Sequence, residues 1–214
     1  MKKITSLLIS LIPINSIRIF LLRVICGYQI DYNSSIGMFN VIISDSFIVE
    51  NSKIGMFNYI EAKNVSMKNG LINKLNRIKH LNKLTLAENS IVFSNNFIGG
   101  SKEPENRVNQ NLILGLNSEI LRSNYFDVVS EINIGNNVVF GGEGSEIWTH
   151  GYDFDRNLLP GGVTFGDNIF IGSKCVFTKN ISICNKVTIG PGSVIYKSIK
   201  EPGFYTTHQI VKVN

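Results

Sequence analysis

The chain has 214 residues, 43% hydrophobic and 17% charged, which excludes a disordered polymer and leaves enough apolar material for a sizeable core. Its formal charge of +5 would draw anions, yet no basic cluster interleaved with aromatics and no helix-turn-helix or zinc-finger spacing occurs, so no nucleic acid is expected as a partner. Cys26, Cys175 and Cys184 form no Cys-x-x-Cys pair, and an odd count without a cysteine scaffold indicates free thiols and a cytoplasmic protein.

The first segment, residues 1–27, imitates a signal peptide, with Lys2-Lys3 ahead of the apolar run Ile4 to Ile14. It lacks a small-residue cleavage site, and Pro13, Asn15, Arg18 and Arg23 interrupt it before the ~20 apolar residues a spanning helix needs. The expectation is an amphipathic helical lead-in over residues 3–25 that packs on the rest of the chain. Peripheral contact with a membrane surface is the second reading of the same stretch.

Residues 28–199 carry the decisive signal, which is a repeat. Ile30, Ile36, Ile42, Ile48, Ile54 and Ile60 fall every sixth residue, and four places after each comes Ser34, Asn40, Ser46, Ser52, Asn58 or Asn64. The register returns as Phe165, Ile171, Phe177, Ile183, Ile189 and Ile195, with Ile169, Cys175, Ile181, Val187, Ser193 and Ile199 in fourth place. Six-residue steps rotate by ~600° on an α-helix and would smear the ladder round its axis. A hairpin meander would need turn residues every 8–12 positions, roughly, and they are absent. A triangular coil satisfies the pattern: each hexapeptide gives one short strand and one corner, and the aliphatic residue points inward. The stretch from Leu71 to Lys83, rich in cations, is expected at an exposed coil edge.

Two segments break the period. Residues 100–111, from Gly100 to Asn111, are polar and read as a looped-out insertion. Residues 143–162 hold the second break: Glu143-Gly144-Ser145-Glu146 adds a residue before Ile147, then Trp148-Thr149-His150-Gly151-Tyr152-Asp153-Phe154 follows, and the coil resumes near Val163. A regular solenoid that loosens at one point does so where function lives. Imidazole titrates near neutrality and serves as a general base without extreme tuning, which singles out His150. His80 sits among lysines and His208 lies in the tail of residues 200–214, so neither has a comparable setting.

The pattern [LIV]-[GAED]-x-x-[STAV]-x over residues 28–199, together with Thr149-His150-Gly151-x-Asp153-Phe154, resembles the hexapeptide-repeat acyltransferases, in particular bacterial sugar and polysaccharide O-acetyltransferases. The resemblance implies an all-β, left-handed parallel β-helix, against the right-handed rule for parallel crossovers. It implies a homotrimer, and transfer of an acetyl group from acetyl-CoA to a sugar hydroxyl, on a surface polysaccharide or its precursor, by direct attack with His150 as base. Glu143 is the first candidate to orient that base, before Asp153 and Asp155. Ser123, Asn124 and Asp127 resemble the relatives' acceptor contacts, and Trp148 and Asp153 complete the expected acceptor set.

Phe170-Ile171-Gly172-Ser173 resembles the relatives' Trp-Ile-Gly-Ser, whose Ser amide or hydroxyl can stabilise an oxyanion, with Phe170 in place of Trp. The run Ile189-Gly190-Pro191-Gly192-Ser193-Val194-Ile195-Tyr196-Lys197 resembles a coenzyme-binding segment, so Pro191, Tyr196 and above all Lys197 are expected on coenzyme A, with Lys212 at its adenosine end. The relatives' Asn-Pro turn is absent from the tail. Acetylation of an amino sugar, nucleotide-linked or not, is the nearest alternative, and a non-catalytic structural β-helix is the alternative outside enzymes. A γ-type carbonic anhydrase would need three converging histidines, and His80, His150 and His208 stand in unrelated contexts, so no metal is expected.

Overall fold

A computed structural model describes residues 2–103 and 109–207; Lys212 and His208 lie outside the described residues. The chain opens with two helices, α1 (Lys2–Ser10) and α2 (Asn15–Cys26), and then winds into the left-handed parallel β-helix with three flat faces. The lead-in is a helical hairpin because Pro13 removes a backbone donor and disfavours the helical conformation at Ile12 before it, which breaks the chain into α1 and α2. Gly27, at φ 72°, ends α2 in the left-handed region that glycine adopts without a Cβ penalty. No helix among the described residues is long and apolar enough to cross a membrane.

Face one stacks nine short strands, from Ser35–Ile36 through Glu119–Ile120 and Ile169–Ile171 to Gly203–Tyr205, every neighbouring pair parallel. Face two runs from Val41–Ile43 through Phe97–Gly99, Tyr125–Asp127 and Glu146–Trp148 to Val194–Ile195. Face three runs from Gln29–Ile30 through Ser46–Glu50, Asn111–Leu114 and Val163–Phe165 to Ile181–Ile183. Tyr59–Lys68 and Arg77–Leu86 turn the corner between faces two and three unbroken, so those faces share one sheet. The stretch Leu71 to Lys83 therefore crosses faces one and two and the corner beyond, with Ile72, Ile78 and Leu81 in the core, rather than forming an exposed edge.

The downstream ladder points inward throughout, from Phe165 to Ile195, together with its fourth-place partners. Upstream, Ile30, Ile36, Ile42, Ile54 and Ile60 do the same, but Ile48 does not: Phe47 and Val49 are inward and Ile48 points out. Face three has a five-residue strand there with two inward positions, so the alternation slips by one and Ser44, not Ser46, is buried at the corner. In the middle coils Phe126, Phe140, Phe165 and Phe177 meet edge-on or tilted at 4.9–5.5 Å between centroids and fill the interior.

The small fourth-place residues are structural. On the corner between faces one and two, Asn58 N–H donates to Asn40 Oδ1, Asn76 to Asn58, Asn96 to Asn76 and Asn124 to Asn96, each at 2.8–3.0 Å. Ser145 and Cys175 continue the column: Ser145 N–H donates to Asn124 Oδ1, and Cys175 N–H to Ser145 Oγ. Each side chain satisfies a backbone donor that the bend strips from the sheet ladder, in a place water does not reach.

The coils are not equal. Ser35 to Lys53 is a step of 18 residues, Ile91 to Glu119 one of 28, and Val139 to Phe170 one of 31. Most of the surplus leaves at the corner between faces two and three, after Gly99 and after Trp148, and Lys79, Gly99, Asp127 and Trp148 are stacked in register just before it. The interior stays regular while one edge of the prism is opened.

Candidate active site

At that edge the chain leaves the coil after Trp148 and makes an antiparallel ribbon, His150–Tyr152 against Leu158–Pro160. His150 Nδ1 lies 2.7 Å from Oδ2 of Asp127, one coil earlier. Asp127 is 5% exposed, and the same oxygen accepts the Thr149 N–H at 2.9 Å and the Thr149 hydroxyl at 3.2 Å. Thr149 Oγ1 in turn accepts the Ser130 N–H at 2.9 Å, which ties the ribbon's base to the coil below. A buried carboxylate acting as acceptor fixes the imidazole proton on Nδ1 and leaves the Nε2 lone pair as the basic site.

The dyad opens into a cavity of about 360 Å³ lined by Lys79, His80, Phe97, Tyr125, Lys102 and Tyr152 among others. Phe97 and Tyr125 stack at 5.0 Å with planes 3° apart, and Trp148 leans on Tyr125 at 5.1 Å, so three coils build one aromatic column along face two. Tyr152 meets the His150 ring edge-on at 5.6 Å. His80 is held in the same manner as His150, its Nδ1 3.1 Å from Glu61 Oε1. Burial, then the nearby cations Arg77 and Lys102, lower the Lys79 pKa, and Lys3 adds to this. An adjoining groove shares Lys79, His80 and Lys102 with the cavity and extends it past Arg77 to Lys3. Gln110 anchors the loop that overhangs this edge, donating to the His80 carbonyl at 2.8 Å and accepting from the Ser101 amide.

The residues singled out in the sequence divide by corner. Asp127 joins His150, although the expected partner was Glu143. Glu143 lies at the opposite end of the strand Glu146–Trp148, on the corner between faces one and two, where it pairs with Arg122 at 2.8 Å in the open. Ser123 and Asn124 belong to that corner too: Ser123 accepts from Asn95 Nδ2, and Asn124 is a rung of the buried column. Neither lines the histidine cavity of its own chain.

Asp153 accepts the Asn157 N–H and side-chain amide at 2.8 and 2.9 Å, which hold its pKa below the usual carboxylate range and close the turn of the ribbon. Trp148 donates from Nε1 to Glu146 Oε2 and stands half exposed on face two.

Of the expected coenzyme contacts, Gly172, Ser173 and Pro191 lie on the corner between faces one and two. Ser173 there lines a cavity of about 680 Å³ with Phe93, Leu121, Arg122 and Glu143. Tyr196 and Lys197 lie exposed past the end of face two, on the side of His150, with the Lys197 ammonium 5.5 Å from the Tyr196 ring. Lys79, His80, Phe97, Tyr125, Lys102 and Tyr152 were not picked out. Asp127 carried a readable signal: an acid set between the core residues Phe126 and Val128 needs a partner.

Fold and dyad together define the class: a parallel β-helix with a carboxylate-held histidine at its opened edge. Among the described residues no three of His, Cys, Asp and Glu converge in a metal-holding group.

The chain is similar to a hexapeptide-repeat-containing acetyltransferase from Vibrio cholerae, at 17% identity and a TM-score of 0.47 over 59% of this chain and 72% of that one. A structure of the Vibrio protein in complex with acetyl coenzyme A matches at 14% and 0.42, over 54% of this chain and 64% of that one. The UDP-N-acetylglucosamine acyltransferase from Campylobacter jejuni matches at 16% and 0.47, over 80% and 68%. No family model and no curated protein matches the sequence.

Proposed function

We propose that the protein is an acetyl-CoA-dependent acetyltransferase that acetylates a sugar hydroxyl, with His150 as general base and Asp127 as the residue that positions it. The observation that carries this is the 2.7 Å pair of a buried carboxylate and an imidazole, opening on a cavity within the roughly 300–1,000 Å³ range of small-molecule sites. Nε2 takes the proton of the acceptor hydroxyl as that oxygen bonds to the acyl carbon, and the departing sulfur receives a proton in return. The Asp127 carboxylate stabilises the imidazolium that exists between the two transfers. Acetyl coenzyme A, when bound, supplies the activated thioester.

The aromatic column of Phe97, Tyr125 and Trp148 suits the flat face of a pyranose. Lys79, Lys102 and the continuation to Arg77 and Lys3 suit an acceptor that carries negative charge, as acidic surface polysaccharides and their precursors do. The same cations disfavour a protonated amino sugar, which ranks the hydroxyl above the amine.

Ser173 and His150 sit at two corners of one prism, on either side of face two, so a single copy does not bring the expected coenzyme slot to the base. A second copy packed face to face supplies it, which supports a homotrimer with sites between protomers. Three free thiols and a coenzyme A donor support a cytoplasmic setting.

The test is release of coenzyme A thiol in the presence of acidic and neutral glycan acceptors, comparing the wild type with His150→Ala. Turnover that survives the substitution with the fold intact overturns the assignment.

A further inference from the structure

The N-terminal helices are inside out. Helix α1 buries Ser6, Ile9 and Ser10 and leaves Ile4, Leu7, Leu8 and Leu11 exposed, an i, i+3, i+4, i+7 stripe that ordinarily faces a core. Helix α2 buries Arg18, Ile19 and Leu22 and leaves Ile17, Phe20, Val24 and Ile25 exposed, with Ile14 just ahead of it.

The orientation is fixed by the polar side. Ser6 Oγ accepts the Ile42 N–H at 2.8 Å, and Arg18 donates from Nε and Nη2 to the Ile36 carbonyl at 2.9 and 2.6 Å. Its Nη1 reaches the Ile12 carbonyl, and Lys2 Nζ donates to the Ser44 carbonyl at 2.8 Å. Turning either helix to hide its apolar stripe would strand these groups, each at a cost of about 1–3 kcal/mol or more. The two helices pack against each other, so one hairpin carries nine exposed apolar residues from Ile4 to Ile25, apolar surface on the order of several hundred Å² and at or beyond what a soluble monomer ordinarily leaves in water.

We propose that this helical hairpin docks the protein flat on an anionic phospholipid surface. Helices of 9 and 12 residues are about 14 and 18 Å long, too short for a hydrocarbon core of about 30 Å but suited to lying in the interface. Charge selects the occupant: Arg18 is buried and Lys2 pairs with Asp45, which leaves Lys3 and Arg23 as the exposed cations of a stretch, residues 2–30, that holds no carboxylate. Lys3 and Arg23 remain exposed, resting over the rings of Tyr59 and Tyr32 at 5.5 and 4.5 Å, and both can turn to anionic headgroups, whereas a second copy of the same hairpin offers them no acid. Lys3 also borders the cationic groove that leads to His150, so docking sets the acceptor groove beside the headgroups. The inference stands on the hairpin and does not depend on the reaction.

The test is co-sedimentation of the full chain with vesicles of phosphatidylcholine alone and of phosphatidylcholine mixed with phosphatidylglycerol. The wild type is expected to pellet with the anionic vesicles and to be released by high salt. The double variant L8E/V24E, at positions 60% and 65% exposed, is expected to bind at least about tenfold more weakly with an unchanged circular dichroism spectrum. Failure of the wild type to pellet with either vesicle overturns the proposal. So does a fall in oligomer size in L8E/V24E with no vesicle binding by the wild type, since a second copy then covers the stripe. Equal binding to both vesicles overturns the role of charge.

Discussion

Replacing Asp127 by Asn tests the candidate site at its least exposed point. The carboxylate oxygen takes three donors, from the Thr149 amide, the Thr149 hydroxyl and His150 Nδ1. An asparagine oxygen can keep the two threonine bonds, so the corner and the ribbon stay folded. The same oxygen can also keep the His150 Nδ1 bond, since all three donors meet one carboxylate oxygen, so the tautomer is retained and the charge alone is removed. The imidazolium thereby loses a charge about 4 Å away, worth roughly 4 kcal/mol at an effective dielectric of 20. That loss falls on the step that forms the imidazolium, so kcat should fall on the order of 10²–10³-fold. The KM for acetyl-CoA should change little, because Asp127 does not face the Ser173 cavity. The assay is steady-state thiol release at saturating acceptor, with urea unfolding as the control. A D127N enzyme within about threefold of wild type in kcat, equally stable, would refute the reasoning.

The remaining predictions use the same assays. Glu143→Gln breaks an exposed pair with Arg122 and takes a charge from the wall of the Ser173 cavity, so any effect should fall on the KM for acetyl-CoA and kcat should stay within about twofold; a kcat loss matching that of His150→Ala would restore Glu143 to the chemistry. Asn76→Ala deletes a buried rung that serves both Asn58 and Asn96, and should cost about 2–4 kcal/mol in urea unfolding. Asn89→Gly removes an exposed side-chain bond to Asn117 at a residue whose φ of 58° glycine adopts freely, and should stay within about 0.5 kcal/mol, so equal losses at the two positions would contradict the buried column. Gly172→Ala drives a Cβ to 2.6 Å from the Pro191 backbone nitrogen in the next coil; a loss of about 1–3 kcal/mol is expected, and unchanged stability would show that the coils separate freely.

The coil was legible because its core demands an aliphatic residue at a fixed step, and from Phe165 to Ile199 every ladder position is buried as the period requires. Ile48 was misread because a strand with two inward residues is as apolar as one with a single inward residue, and period alone does not separate Phe47-Ile48-Val49 into sides.

His150 was legible as the histidine beside the slip. Its partner was not, since nearness along the chain favoured Glu143, while the strand between them sends the two to opposite corners. Asp127 lies 23 residues away and comes into contact only through coil stacking. His80, set aside for its lysine neighbours, and Lys79 and Phe97 could not be joined to the dyad for the same reason: each neighbours it only through register, and register follows from the lengths of the loops between coils.

The opened edge has a metric consequence. Successive coils rise by one strand spacing, about 4.8 Å, so Lys79, Gly99, Asp127 and Trp148 form a staircase with treads of nearly constant height. An acceptor lying along it is measured in whole steps, and the overhanging segments decide which treads are free. On the proposed function, lengthening or trimming a segment that leaves the coil at this corner would change which unit of a glycan acceptor reaches His150 without moving a core residue. Selectivity and stability are thereby written in separate parts of the chain.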